Sequence, residues 1–424
     1  MQIDRLTIRN FCGFEFCELK FDPHFNLLVG DNATGKTSVL DALAIAVGSW
    51  FLGIKGYAKA IGIDKDEVRV VAYEHKDSRT FEKQFPSRIE ACGQLMGKKN
   101  VVWAREVTHE SGIAISKDDN DIISAAIEAE RRVRSGEDVT LPLICAYGCR
   151  RLWFESPRRR ITKNEAASRL PSRLDGYRDC IDFNIEESSF LDWIRAEVSA
   201  GQQRGEETIA YRVVRDAITA CVDGAVWIYY DARYNDLVVN MKEHGYQLFH
   251  NLSDGQRIML GLVGDLARRA SMLNPHLGDQ VLKQTPGVVI IDELDLHLHP
   301  NWQRRVIRDL KRTFPSLQFI ATTHSPQLIG EVKPEQIRLL TKTDVFTPAH
   351  SFGLDSSRVL EEVMDAPRRN NSVDVLLRRL FDLIDREDVP GALKVLPEVE
   401  AKLGPDDPEI TRARALMTFL EPHR

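Results

Sequence analysis

Eight residues of this 424-residue chain have the types and spacing to hold a triphosphate: Gly30-Asp31-Asn32-Ala33-Thr34-Gly35-Lys36-Thr37. They fit G-x-x-x-x-G-K-[ST], in which backbone N–H groups at a helix N-terminus face phosphate oxygens. Gly30 and Gly35 allow backbone conformations that a Cβ would obstruct. Lys36 can reach the β- and γ-phosphates, and the Thr37 hydroxyl can ligate Mg²⁺. Contacts to a nucleotide, ATP, are expected from Asn32, Ala33, Thr34, Gly35, Lys36, Thr37 and Ser38. A second element, Val288-Val289-Ile290-Ile291-Asp292-Glu293, is an apolar run ending in two carboxylates, a Walker B pattern. Asp292 is expected to hold Mg²⁺ through water. Glu293 is expected to orient and deprotonate the attacking water as general base.

A third segment, Asn251-Leu252-Ser253-Asp254-Gly255-Gln256-Arg257, precedes the second. Ser253 and the backbone of Asp254-Gly255 can open a helix whose N-terminus holds a phosphate. An ordinary serine N-cap is the plainer reading of the same residues. One P-loop already reads the γ-phosphate. A second phosphate-reading helix makes sense if it belongs to another copy of the chain, closing over the nucleotide in trans.

These residues need elements to hold them. Phe25 to Val29 is a buried strand leading into the P-loop, and the apolar run from Ser38 to Val47 is the helix leaving it. Ile3–Phe11 and Phe14–Phe21 alternate like a hairpin, Glu67–Tyr73 and Asn100–Thr108 read as strands, and Asn120–Ser135 as an amphipathic helix. Pro142–Tyr147 is a short buried strand. From Cys149 to Arg178 nine Lys/Arg stand against three Asp/Glu, and Glu187–Val198 and Glu206–Val222 read as helices. Ala225–Tyr230, Leu237–Met241, Val288–Ile291, Gln318–Thr322 and Gln336–Leu340 are strands, with helices at Asp254–Leu273 and Asn301–Thr313 among them. Strands alternating with helices predict an α/β fold with a mostly parallel sheet covered on both faces. After about Ser351 the pattern is wholly helical. The expected organisation is an N-terminal half of one core over 1–150, a basic helical insertion over 151–225, the second half over 226–345 and a helical tail over 351–424.

Composition bounds the rest. A 43% hydrophobic and 28% charged chain is typical of a soluble globular protein, and a net charge of −6 confines any nucleic-acid contact to a local patch. Arg158, Arg159 and Arg160 are the candidate patch, with a solvated face as the plain reading. The seven cysteines form no C-x-x-C pair and read as reduced thiols of a cytoplasmic protein. The first residues read as a strand, not a signal peptide, and no apolar run approaches a membrane span.

The combination resembles the ABC-type ATPases of the SMC/RecF class. The match lies in the LSxGQ signature at Leu252–Gln256, the Walker B pair, a D-loop-like Leu294-Asp295-Leu296 and a switch histidine, His324, in Ala321-Thr322-Thr323-His324-Ser325-Pro326. The resemblance implies an ABC ATPase head in which Ser253, Gly255 and Gln256 bind ATP and His324 senses the γ-phosphate. His297 and His299 suggest metal at first sight, but their i, i+2 spacing on a turn resembles the HLHP segment of RecF-like ATPases. In the Q-loop place stands Tyr147-Gly148-Cys149-Arg150-Arg151, without a glutamine.

SMC and double-strand-break repair ATPases carry long coiled coils, and this chain has no heptad run. OLD-type nucleases append a Toprim domain with a strand-borne acidic cluster, and the tail here has none. The ATPases of Septu-type antiphage defence and of some retrons, the PtuA family, look like this chain over most of its length. Ser172-Arg173-Leu174-Asp175-Gly176-Tyr177 and Phe352–Met364 carry that likeness beside the P-loop. The resemblance implies a self-associating ATPase, dimeric or larger. It also implies a separate HNH nuclease subunit (PtuB-like) and, in a retron, msDNA with a reverse transcriptase. The alternatives are a RecF-like repair ATPase binding DNA directly, and a scaffold that binds ATP and barely hydrolyses it.

Overall fold

In the computed structural model, the structure describes residues 1–54, 56–57, 62–76, 78–110, 112–115, 120–149, 170–183, 187–342 and 344–420. The chain divides into two compact units, Met1–Leu354 and Asp355–Arg424.

The strands of the first unit are β1 (Gln2–Phe11), β2 (Phe14–Lys20), β3 (Phe25–Val29), β4 (Val70–Glu74), β5 (Arg79–Lys83), β6 (Ser87–Leu95), β7 (Lys98–His109) and β8 (Gly112–Ile115). They continue with β9 (Leu143–Tyr147), β10 (Ala225–Asp231), β11 (Asp236–Met241), β12 (Gly245–Leu248), β13 (Gly287–Ile291), β14 (Leu317–Thr322), β15 (Ile337–Leu340) and β16 (Val345–Phe346). Its longer helices are α1 (Lys36–Gly48), α2 (Asn120–Arg134), α3 (Glu187–Arg204), α4 (Ile209–Cys221), α5 (Asp254–Leu273) and α6 (Pro300–Thr313).

The central sheet has the order β16-β15-β3-β14-β13-β9, and all pairings except β15 with β16 are parallel. β3, β9, β13 and β14 are buried along their whole length, as strands covered on both faces must be. A second, antiparallel sheet runs β2-β1-β6-β7-β8. Helix α1 contacts β13 of the first sheet and β1, β6 and β7 of the second. That explains a helix apolar on every side: Val39, Leu40 and the run Ala42–Gly48 are all buried. Gln318 stitches the sheets together, its side chain accepting from Ile3 N–H (2.8 Å) and donating to Ile3 O (2.7 Å).

Several elements differ from the sequence expectation: β5, β8, β12 and β16 were not expected, and two further differences have a physical reason. The Glu67–Tyr73 strand begins only at Val70, because Asp64–Glu67 closes a capping box: Asp64 accepts from Asp66 N–H, and Glu67 accepts from Asp64 N–H at 2.7 Å. The central strand β6 was not foreseen. Its inward positions Ser87, Ile89, Ala91, Gly93 and Leu95 do alternate, but three of the five are polar or too small to mark a hydrophobic period.

The second unit is helical: α7 (Ser356–Glu362), α8 (Asn371–Asp385), α9 (Val389–Leu403) and α10 (Pro408–Leu420). Leu380, Ile384, Ala392, Val399, Ile410 and Ala413 form its core. Asp355 caps α7 by accepting from the N–H groups of Ser357 and Arg358. No helix among the described residues is long and apolar enough to cross a membrane.

Candidate nucleotide site

Strand β3 ends at Val29 and α1 begins at Lys36, so the glycine-rich loop spans the C-terminal edge of the parallel sheet. Ligands bind at that edge in open α/β sheets. Gly35 is the residue before the helix and adopts φ 93°, in the left-handed region. A Cβ there would lie 2.5 Å from Phe14 Cζ, so the β1–β2 turn closes down on the loop at a point only glycine allows. Within the loop, Thr34 Oγ1 donates to Asp31 O at 2.9 Å. Lys36 is buried, and its ammonium donates to Gly30 O (2.8 Å) and Asp31 O (2.7 Å). Burial draws the Lys36 pKa down, while the carboxylates of Asp292, Asp31 and Glu293 oppose it. The ammonium therefore shares one electrostatic environment with both carboxylates at the end of β13. Asn32, Ala33 and Thr37 are exposed, and Ser38 is half-buried.

Asp292 and Glu293 follow β13 directly, next to β14, which separates β13 from β3. Their backbone is held on both sides. Asp292 N–H donates to Tyr147 O at 2.7 Å, at the tip of β9. Thr322, at the tip of β14, donates its hydroxyl to Asp292 Oδ1 (2.6 Å) and accepts from Glu293 N–H (2.7 Å). Glu293 has φ 50°, an uncommon conformation for a residue with a side chain. His324 lies two residues beyond Thr322 and is half-buried. Thr323 beside it donates to Asp295 Oδ1 at 2.5 Å, and its N–H donates to Leu28 O. P-loop, carboxylate pair and histidine thus emerge from three adjacent strands at one edge.

Ser253 caps the 20-residue helix α5. Its hydroxyl accepts from Gln256 N–H, and Gln256 Oε1 accepts from Ser253 N–H at 3.0 Å, a capping box. These hydrogen bonds stay within the helix end, and Ser253 itself is exposed. The cap touches the rest of the site through Gly255, where a Cβ would lie 2.7 Å from His297 O. Gly255→Ala should therefore push the cap off the 292–299 loop, at a cost of about 1–3 kcal/mol. Calorimetry should show the melting temperature fall by a few degrees; an unchanged value would mean that the cap does not rest on His297 O in solution.

His299 is the N-cap of α6, its Nδ1 accepting from Asn301 N–H at 3.3 Å. His297 is exposed on the turn before it. No group of three or more potential metal-ligating His, Cys, Asp or Glu residues occurs among the described residues. The oxygen donors beside the loop, Thr37 and Asp292, suit a hard, oxygen-seeking cation such as Mg²⁺. Arg150, Arg151 and the candidate contacts Arg158, Arg159 and Arg160 lie outside the described residues. Motif reading passed over Thr322, which holds both carboxylate residues in place, and Asp41, one turn beyond Thr37 on α1. Burial, reinforced by Glu67 and Asp292, pushes the Asp41 carboxyl up to about 6.

Fold and edge together define an ABC-type P-loop ATPase head. Residues 25–330 match the family model described as "AAA domain, putative AbiEii toxin, Type IV TA system", and the chain belongs to that family. It also resembles the Septu protein PtuA of Bacillus thuringiensis, 26% identical over 183 residues, 41% of this chain and 46% of that protein. The "Retron Ec83 probable ATPase" of Escherichia coli is 36% identical over 177 residues, 41% of this chain and 32% of that protein. The "Retron Vc95 probable ATPase" of Vibrio cholerae is 37% identical over 144 residues, 32% of this chain and 28% of that protein. The matched segments span less than half the length of these curated relatives.

Proposed function

We propose that this chain is the ATP-binding and ATP-hydrolysing regulatory subunit of a Septu- or retron-type antiphage defence complex, controlling a separate HNH nuclease. The observation that carries the ATPase reading is the buried Lys36 ammonium, held on its own loop within the field of the Asp292, Asp31 and Glu293 carboxylates, at the sheet edge where the strand carrying Asp292 and Glu293 also ends. The placement in defence is supported by the likeness to the retron ATPases and PtuA.

In this reading Asn32 to Ser38 wrap the phosphates with backbone N–H groups, and Lys36 exchanges its loop carbonyls for phosphate oxygens. Thr37 and Asp292 would hold Mg²⁺, whose charge offsets that building on the phosphates. Glu293 accepts the proton of the attacking water, and His324 reads the γ-phosphate. Ser253, Gly255 and Gln256 complete the site of a second copy: Ser253 is exposed at the helix N-terminus, Gly255 and Gln256 are half-buried beside it, and the Ser253–Gln256 hydrogen bonds stay within that helix end. Turnover is slow until triggered, and closure of the dimer is the bistable step. Segments 1–150 and 226–345 make the nucleotide-binding core, 151–225 the nucleic-acid-facing insertion and 351–424 the platform for the nuclease.

Light scattering with and without ATP–Mg²⁺ tests the reading, together with co-purification of a neighbouring HNH protein. The parent should associate on adding ATP, and Ser253→Arg should bind ATP yet remain a monomer. Equal masses for the parent with and without nucleotide would defeat the proposal.

A further inference from the structure

A buried hydrogen-bond chain joins the carboxylate edge to the Ser253 helix, and none of its side chains belongs to the nucleotide-facing set. Tyr147, the last residue of β9, accepts Asp292 N–H on its carbonyl at 2.7 Å. Its hydroxyl donates to Asp265 Oδ2 at 2.9 Å. Asp265 lies on α5, about three turns beyond Ser253. The two side chains are shut away from water, with Tyr147 2% and Asp265 1% exposed. Asp265 also accepts from Arg269 Nε at 2.7 Å and Arg268 Nη2 at 2.5 Å. Burial alone would raise the Asp265 pKa, but the two guanidiniums outweigh it and hold the carboxyl well below the usual range. Arg269 Nη1 in turn donates to Gly176 O (3.0 Å) and Arg178 O (2.6 Å).

A buried ion pair is poor evidence of stabilisation, since apolar side chains of similar volume often serve as well. What a satisfied buried network supplies is a fixed register between the elements it joins. Here those elements are the strand tip beneath Asp292 and the helix that Ser253 caps. If two copies clasp two nucleotides in trans, Asp292 serves the nucleotide held by its own Lys36, while Ser253 of the same protomer serves the other. A rigid tie between them within one protomer is then a tie between the two sites.

We propose that Tyr147 and Asp265 are positioning residues that make the carboxylate edge of one site and the serine cap lent to the other move as one body, so that the two nucleotides are bound and hydrolysed cooperatively. The inference rests on the trans-clasp reading above.

Tyr147→Phe tests it, removing one oxygen while leaving the Tyr147 carbonyl and both arginine pairs of Asp265 in place. ATP affinity of the dilute monomer should change less than twofold. The Hill coefficient for ATP in steady-state turnover should fall from above one to one, and kcat should drop about tenfold, the scale of one buried hydrogen bond. A bond of purely structural value would lower the melting temperature and leave the Hill coefficient where it was; that result overturns the proposal, as does a parent with no cooperativity. Failure of the clasp itself shows separately, as a parent that stays monomeric with ATP–Mg²⁺.

Discussion

Glu293→Gln should bind ATP as tightly as the parent, hydrolyse it 10²- to 10⁴-fold more slowly (roughly the worth of a positioned general base), and accumulate as an ATP-bound dimer. The substitution keeps size and hydrogen-bonding capacity while removing the basic oxygen. It leaves untouched the Glu293 backbone, whose N–H is fixed on Thr322 Oγ1 at 2.7 Å and whose φ is already 50°. Geometry is preserved and only proton acceptance is lost, so binding and turnover should separate. Single-turnover measurement of phosphate release, beside sedimentation with ATP–Mg²⁺, gives both quantities. Parental hydrolysis by Glu293→Gln would remove the residue from the chemistry.

Lys36→Ala should act on the opposite side of that divide. Its ammonium is buried and donates to two carbonyls of the phosphate-binding loop. Removing it takes away a charge-assisted hydrogen bond of about 1.5–3 kcal/mol and leaves two carbonyls without their donor. Nucleotide affinity should fall roughly 10- to 10²-fold, since each 1.4 kcal/mol is tenfold. Isothermal titration with a slowly hydrolysed ATP analogue measures the loss. A less than threefold change would show that Lys36 serves only to hold the loop closed. The two variants are complementary: one should bind without hydrolysing, the other should fail at binding.

Much of the local structure around the candidate site was legible in the sequence. The P-loop, the carboxylates after Val288–Ile291 and the serine opening a helix are local patterns, each set by residues within a turn of one another. So was the parallel core, because strands buried on both faces are apolar at nearly every position: β13 is so throughout, and β3 and β14 are apart from Asn26, Gln318 and Thr322. Capping boxes are local too, yet Glu67, the last residue of the one at Asp64–Glu67, reads as the start of a strand, since charged residues also occur in exposed strands.

Long-range approaches were not legible. Gly255 beside His297 O, Gly35 beneath Phe14 and the Tyr147 hydroxyl on Asp265 join residues 21 to 118 positions apart. Thr322 reaches Asp292 because β14 lies beside β13 in the sheet, an order that no window of sequence contains. The chain by itself determined which side chains could do phosphate chemistry, because backbone conformation and side-chain type act over a few residues. Tertiary structure alone decided which of them share an electric field and which elements are tied together. Those relations depend on strand order and on contact distances of a few ångströms between segments far apart in the chain.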